Sequence, residues 1–210
     1  MRGLYAIIDP SQCKGRDPVW VSEQTVRSGC TALQLRVKTM SDRAFLKIAQ
    51  QVQVHCKRAG VQFWVNDRLD IALLSRADGL FLSQDDLAVD EVRQVWGPRL
   101  LGLSVDTLQQ AKAAENQGVD LIGYGPVFRE RTPVHQPEDI GLFALAEVCR
   151  AVRTPVLAIG GIQRQHARLL RRTGASYAAS VRLVCGAADP RAAAFEFHQA
   201  LITKRSSMAP

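Results

Sequence analysis

No stretch of the chain approaches the ~18 consecutive apolar residues of a membrane-spanning helix. The opening Met1-Arg2-Gly3-Leu4-Tyr5-Ala6-Ile7-Ile8-Asp9 lacks the long apolar segment and cleavage site of a secretory signal. Neither a membrane partner nor export is therefore expected. Cysteine is sparse: Cys13, Cys30, Cys56, Cys149 and Cys185 are odd in number and form no Cys-x-x-Cys. That argues against a disulfide framework or a zinc ribbon and favours a cytoplasmic, reducing location, with the thiols acting as small buried hydrophobes. The four histidines, His55, His135, His166 and His198, show no metal-ligand spacing. His55, His166 and His198 fall in stretches of helical pattern and are expected at the surface. No internal repeat and no low-complexity segment is visible. No Gly-x-Gly-x-x-Gly follows the first apolar run, where Asp9-Pro10-Ser11 stands instead; this weighs against a doubly wound dinucleotide-binding sheet.

The 210 residues suit one domain, with 47% hydrophobic and 22% charged residues in an ordinary globular balance. The formal net charge of +7 fits either a nucleic-acid binder or an enzyme for anionic substrates. Arg164, Arg168, Arg171 and Arg172 follow helical spacing, but no aromatic residue accompanies them. They are expected to form a solvated outer helix face rather than a nucleic-acid surface. Residues 203–210, with Lys204 and Arg205, are expected as a flexible tail.

Eight short aliphatic runs recur: Leu4–Asp9, Ala32–Val37, Phe63–Asn66, Gly79–Ser83, Leu100–Val105, Leu121–Val127, Val156–Gly160 and Tyr177–Leu183. They are too short for helices and read as buried strands. Between them lie amphipathic stretches such as Ala44–Arg58, Leu108–Gln117 and Phe143–Val152, and Asp106 with Gln109 resembles a capping box. Eight strand–helix units in this length predict a single α/β domain over residues 1–210, a (β/α)8 TIM barrel. The polar segment from Phe128 to Ile140 is long for a connection and is a candidate lid.

In such a barrel, function gathers at the carboxyl ends of the strands. Gln34, Arg36 and Lys38 alternate and are expected on one face of the second strand. Two cations there call for anions, supplied by internal carboxylates or by a phosphorylated substrate. The third strand ends Asn66-Asp67-Arg68 and the fourth Ser83-Gln84-Asp85-Asp86. Asp67 and Asp86 read as helix caps or, beside those cations, as ligands for Mg2+ held together with substrate phosphates. Gly160-Gly161 and Ser180-Val181-Arg182 close the last two strands, where such barrels commonly bind phosphate.

The order of these pieces resembles the thiamine phosphate synthase family, which includes the related thiazole tautomerases. The likeness runs almost end to end. It is carried by Gln34-Leu35-Arg36-Val37-Lys38, Val65 to Ala72, Ala77 to Leu87, Leu101-Gly102-Leu103-Ser104, Gly123-Tyr124-Gly125-Pro126-Val127-Phe128 and Ile159-Gly160-Gly161-Ile162. The resemblance implies a transferase. It would condense 4-amino-2-methyl-5-pyrimidinylmethyl diphosphate with a thiazole phosphate, giving thiamine phosphate and diphosphate. It further implies roles: Gln34 and Asn66 orient the pyrimidine and diphosphate; Arg36, Lys38, Ser104 and Thr132 act on the diphosphate; Asp67 and Asp86 bind Mg2+; Gly161, Val181 and Arg182 hold the thiazole phosphate. A homo-oligomer is left open. The chain departs from the family's Thr-x-Thr-Lys lid, reading Glu130-Arg131-Thr132-Pro133, so that only Thr132 matches. Phe81 stands where the family often has His, and Arg182 replaces a small residue. Pro126 occupies the place of the tautomerase's catalytic His, which favours the synthase. An isomerase of the thiazole phosphate and a non-catalytic phosphate-binding protein of the same pathway are the alternatives.

Overall fold

Each of the eight expected aliphatic runs forms a strand: β1 (Gly3–Ile8), β2 (Ala32–Leu35), β3 (Gln62–Asn66), β4 (Gly79–Leu82), β5 (Leu100–Val105), β6 (Leu121–Tyr124), β7 (Val156–Ala158) and β8 (Tyr177–Ser180). In the computed structural model, which describes residues 1–128 and 141–203, they pair in parallel and in sequence order. β8 closes back on β1, with Gly3 opposite Tyr177. Around this barrel lie α1 (Pro18–Val26), α2 (Asp42–Ala59), α3 (Leu69–Leu74), α4 (Val89–Trp96), α5 (Leu108–Asn116), α6 (Gly141–Ala151), α7 (Ala167–Leu170), α8 (Arg182–Cys185) and α9 (Pro190–Ile202). Among the described residues no helix is long and apolar enough to cross a membrane.

The two-residue period of a strand divides the core into two shells. Leu4, Ala6 and Ile8 of β1 face the helices, packing in one cluster with Leu33, Leu35, Phe63 and Val65. Tyr5 and Ile7 face inward with Trp64, Phe81, Leu157 and Tyr177. The interior admits these large rings because glycine leaves space beside them: a Cβ on Gly79 would strike the Trp64 indole, and one on Gly102 would strike the Phe81 ring. The aromatic layer fills the middle of the barrel and forms a floor beneath the carboxyl-end rim.

Helix α2 shows how local signals set an element. Ser41 accepts the Ala44 N–H at its start, Phe45, Ala49, Val52 and Cys56 form the buried stripe, and Gly60 ends it in the left-handed conformation. Several expectations need correction. β2 ends at Leu35, so Arg36 and Lys38 lie past the strand, although the Arg36 N–H still bonds the Ile8 carbonyl. The capping box at α5 is formed by Thr107 and Gln110 rather than Asp106 and Gln109, because extended Thr107 brings its hydroxyl to the Gln110 N–H. The arginines 164–172 do not share one helix, since a 3-10 turn over Arg164–His166 precedes the short α7. Arg164 pairs with Glu196, and Arg171 donates to the Thr203 carbonyl. His198 is buried, not exposed, and accepts the Leu4 N–H; His55 and His166 are half-buried. The five cysteines carry free thiols, four of them buried, and burial pushes Cys30 up to about 12. Residues 204–210 of the expected tail lie outside the described residues.

Candidate active site

Gln34 is the one member of the Gln34–Arg36–Lys38 series held inside the barrel. It is 2% exposed, and its side-chain N–H2 donates to the Tyr5 hydroxyl at 3.0 Å. Arg36 rises to the rim and donates to the Asp9 carboxylate at 2.5 Å, with side-chain exposures of 41% and 7%. Asp9 is fixed in turn by the Ser11 N–H and hydroxyl. Lys38 pairs with Asp67 across the gap between β2 and β3. Both cations thus rest on carboxylates of the chain itself, as one of the two sequence readings allowed. They do so as half-exposed groups at the rim, not as buried charges on a strand face, so a phosphorylated ligand can reach them.

Asp67 is held in an uncommon way. Its φ of 61° is left-handed for a residue with a side chain, and its N–H is tied to the Phe81 carbonyl at 2.9 Å. Burial raises its carboxyl above the usual carboxylate range; the Lys38 ammonium opposes this and the neighbouring Asp86 charge adds to it. The two acids from adjacent strand ends are therefore close enough to sense each other. Asp86 accepts the Ser83 N–H at 2.6 Å and the Ser83 hydroxyl at 2.7 Å. Neither acid caps a helix: Arg68 is the N-cap residue before α3, and Ala88 the one before α4. Two carboxylates sharing one edge suit a Mg2+ that completes its shell with water and substrate oxygens. Among the described residues no group of three or more His, Cys, Asp or Glu could ligate a metal.

Asn66 and Ser104 lie half-buried at the ends of β3 and β5, and the Ser104 carbonyl accepts from the Gln84 side chain at 2.7 Å. At the β7 and β8 ends, a cavity of about 1110 Å³ is lined by Gly160, Gly161, Gln163, His166, Val181 and Arg182, among others. Gly160 and Gly161 have φ of 93° and 58°. A Cβ on Gly161 would collide with the Phe128 carbonyl, and one on Gly160 with Pro126. Only glycine fits both the backbone angle and the space. The Phe128 ring stacks on His166 with centroids 3.8 Å apart. His166 Nδ1 accepts the Gln163 N–H at 3.1 Å. Arg182 opens α8 and is exposed at the cavity edge.

The expected residues other than Thr132 thus lie toward one end of the barrel, in a β2–β5 group and a β7–β8 group. Thr132, with Glu130 and Pro133 of the candidate lid, lies outside the described residues. Four participants escaped the sequence reading: Tyr5, Asp9, Phe128 and His166. Asp9 carried a signal, as an acid ending a strand, but its partner lies 27 residues away.

Comparison with known proteins shows the family and the fold. The family model described as thiamine monophosphate synthase matches residues 4–184. A thiamine-phosphate synthase of Anaeromyxobacter dehalogenans is 40% identical over 206 residues, covering 98% of this chain and 90% of the relative. One from Syntrophomonas wolfei is 37% identical over 187 residues, covering 89% and 90%. Among solved structures, the thiamine phosphate pyrophosphorylase from Pyrococcus furiosus superposes with a TM-score of 0.86 at 32% identity, covering 95% of each chain. A 3-hexulose-6-phosphate synthase, at 15% identity and a TM-score of 0.67, shares the fold alone. The chain belongs to the thiamine monophosphate synthase family.

Proposed function

We propose that this protein condenses 4-amino-2-methyl-5-pyrimidinylmethyl diphosphate with a thiazole phosphate to give thiamine phosphate and diphosphate. Near full-length relatives named for this activity support the reading. The observation that carries it is the meeting of Lys38, Asp67 and Asp86 on the rim beside Arg36.

In this reading, the bond between the pyrimidine methylene carbon and the diphosphate oxygen breaks, and its electron pair leaves with the diphosphate. The electron-rich aminopyrimidine supports the cation left behind, and the thiazole nitrogen captures it. Arg36 grips diphosphate oxygens in its fork and Lys38 acts as a point charge, each exchanging its carboxylate partner for the ligand. Ser104 and Thr132 donate to the same leaving group, while Asn66 and Gln34 orient the substrate at the mouth and wall of the barrel. Gly161, Val181 and Arg182 hold the thiazole phosphate over β7 and β8. Asp67 and Asp86 would hold Mg2+, relieving the like charge that raises Asp67. When bound, Mg2+ neutralises charge that builds on the leaving diphosphate. Free thiols throughout suit the reducing cytoplasm we assign to it.

The test is direct. Purified protein with Mg2+ and both precursors is expected to release thiamine phosphate, read as fluorescence after oxidation to its thiochrome. Binding of both precursors with no product would overturn the synthase reading and leave a binding protein.

A further inference from the structure

Arg16 lies in the connection between β1 and α1 and reaches across to the end of α8. Its Nη2–H donates to the Cys185 carbonyl at 2.5 Å, and its Nη1–H to the Ala187 carbonyl at 2.5 Å and the Ala188 carbonyl at 3.4 Å. Its Nε–H donates to the Cys13 carbonyl at 3.1 Å, within its own connection. Among the described residues, all of its hydrogen bonds go to backbone carbonyls. The last carbonyls of a helix have no partners within it, and the rigid fork of a guanidinium can take several of them at once.

Each segment that Arg16 grips leads to one of the two phosphate sites. Cys13 ends the 3-10 turn Pro10–Gln12, whose N-cap is Asp9, and the Cys13 thiol returns to the Asp9 carbonyl at 3.4 Å. Asp9 in turn holds Arg36, on the diphosphate side. Cys185 ends α8, whose first residue is Arg182, on the thiazole phosphate side. The Cys185 and Gly186 N–H groups bond the Val181 and Arg182 carbonyls, so this single turn moves as one piece. The β1–β8 ladder stops at Ala6 and Ser180, so Asp9 and Arg182 both lie beyond it. Past that point the Cys185 thiol adds only a weak bond to the Ile7 carbonyl at 3.5 Å, whereas the Arg16 donors carry charge.

We propose that Arg16 is a positioning residue for the transfer: by joining the turn that holds Arg36 to the helix that carries Arg182, it fixes the separation of the two substrates' phosphate groups. This rests on the synthase reading above and adds to it what sets the approach of the thiazole nitrogen to the methylene carbon. Neither substrate needs Arg16 in order to bind, since Arg36 and Lys38 hold one phosphate group and Gly161, Val181 and Arg182 the other. Bond formation does need it: reacting atoms must stand about 3–3.5 Å apart, and a misplacement of about 1 Å costs ~100-fold. A cation that the thiazole nitrogen does not reach is captured by water instead. The water oxygen bonds to the methylene carbon, one proton is released, and the product is 4-amino-5-hydroxymethyl-2-methylpyrimidine.

The partition of products tests it. Wild type, Arg16→Gln and Arg16→Lys would receive both precursors with Mg2+, the thiazole phosphate at saturation, so that the alcohol does not arise from an empty subsite. Thiamine phosphate and the pyrimidine alcohol would be quantified by chromatography in the same samples. In Arg16→Gln, which lacks the fork, the ratio of alcohol to thiamine phosphate is expected to rise at least ~10-fold. The kcat for thiamine phosphate should fall, with both KM values unchanged. Arg16→Lys keeps the charge but not the fork, and its ratio should lie between the two. The ratio is counted per substrate consumed, so a smaller folded fraction does not alter it, and should Arg16→Gln not fold, Arg16→Lys decides the comparison. A ratio equal to that of the wild type, whatever the rate or melting midpoint, would overturn the proposal and leave Arg16 a purely structural tie. A wild type that forms no thiamine phosphate would overturn the synthase reading and this inference together.

Discussion

Lys38 and Asp67 meet across the rim between β2 and β3, the lysine 52% and the aspartate 17% exposed. A pair this open to water contributes little to folding, about 0–1 kcal/mol. The unusual feature is instead the Asp67 backbone, held left-handed at φ 61° to aim a carboxylate along the rim. Strain of that kind collects where geometry serves a ligand.

Asp67→Asn separates the two roles, because asparagine tolerates the left-handed backbone. The melting midpoint is expected to move by less than about 4 °C. Thiamine phosphate formation is expected to fall at least ~100-fold, the scale of losing one preorganised electrostatic contact. Differential scanning fluorimetry and initial rates read the two effects. A large drop in midpoint with full activity would make Asp67 a structural residue.

Arg36 offers a second separation. Arg36→Ala is expected to weaken diphosphate binding by about 2–4 kcal/mol in calorimetry, as for a charge pair losing one partner. Arg36→Lys should recover only part of it, since the planar fork is lost. Unchanged diphosphate affinity in Arg36→Ala would assign the guanidinium to Asp9 alone, as a link between the β1 and β2 ends.

The barrel was legible because both faces of each parallel strand are buried, so every strand appears as an aliphatic run. The placement of the candidate residues was legible only in part: Gln34 and Arg36 come from one run, yet one lies inside the barrel against Tyr5 and the other on the rim against Asp9. Local geometry was not. Arg164 to Arg172 follow helical spacing, yet the His166 ring accepts the Gln163 N–H and a 3-10 turn intervenes. Asp9 stood only as the last residue of the first strand run, because nothing in its own segment announces Arg36. Tyr5 resembled ordinary strand filling, and only the closed barrel brings its hydroxyl to Gln34. His198 did carry a signal, overlooked: it continues the buried Ala194–Leu201 stripe of α9 at helical spacing.

Gly161 tests the phosphate cavity. Alanine there must adopt a left-handed φ of 58° and push its Cβ against the Phe128 carbonyl. Displacing that carbonyl moves the Phe128–His166 stack that walls the cavity. Gly161→Ala is expected to cost about 1–3 kcal/mol of stability and to raise the KM for thiazole phosphate at least ~10-fold, with diphosphate binding unaltered. Equal damage to both substrates would mean the cavity is not a separate subsite.

His198 gives the fold a pH dependence of definite sign. Its Nδ1 accepts the Leu4 N–H at 3.3 Å, and it sits against Gly3, where a Cβ would strike its Cε1 at 2.5 Å. Burial lowers its affinity for a proton below the ordinary histidine value of about 6.5. Protonation would turn the accepting nitrogen into a donor facing another donor. Between the folded and unfolded values, the unfolded chain binds more protons, so stability rises with pH there. The contribution of neutral His198 is full above the ordinary value and is lost as pH falls through the lowered one. The urea midpoint of the wild type should accordingly drop between pH 7.5 and 5.5, and drop less in His198→Gln, whose amide does not titrate. An identical pH slope in both proteins would show that the β1–α9 contact does not depend on the charge of His198.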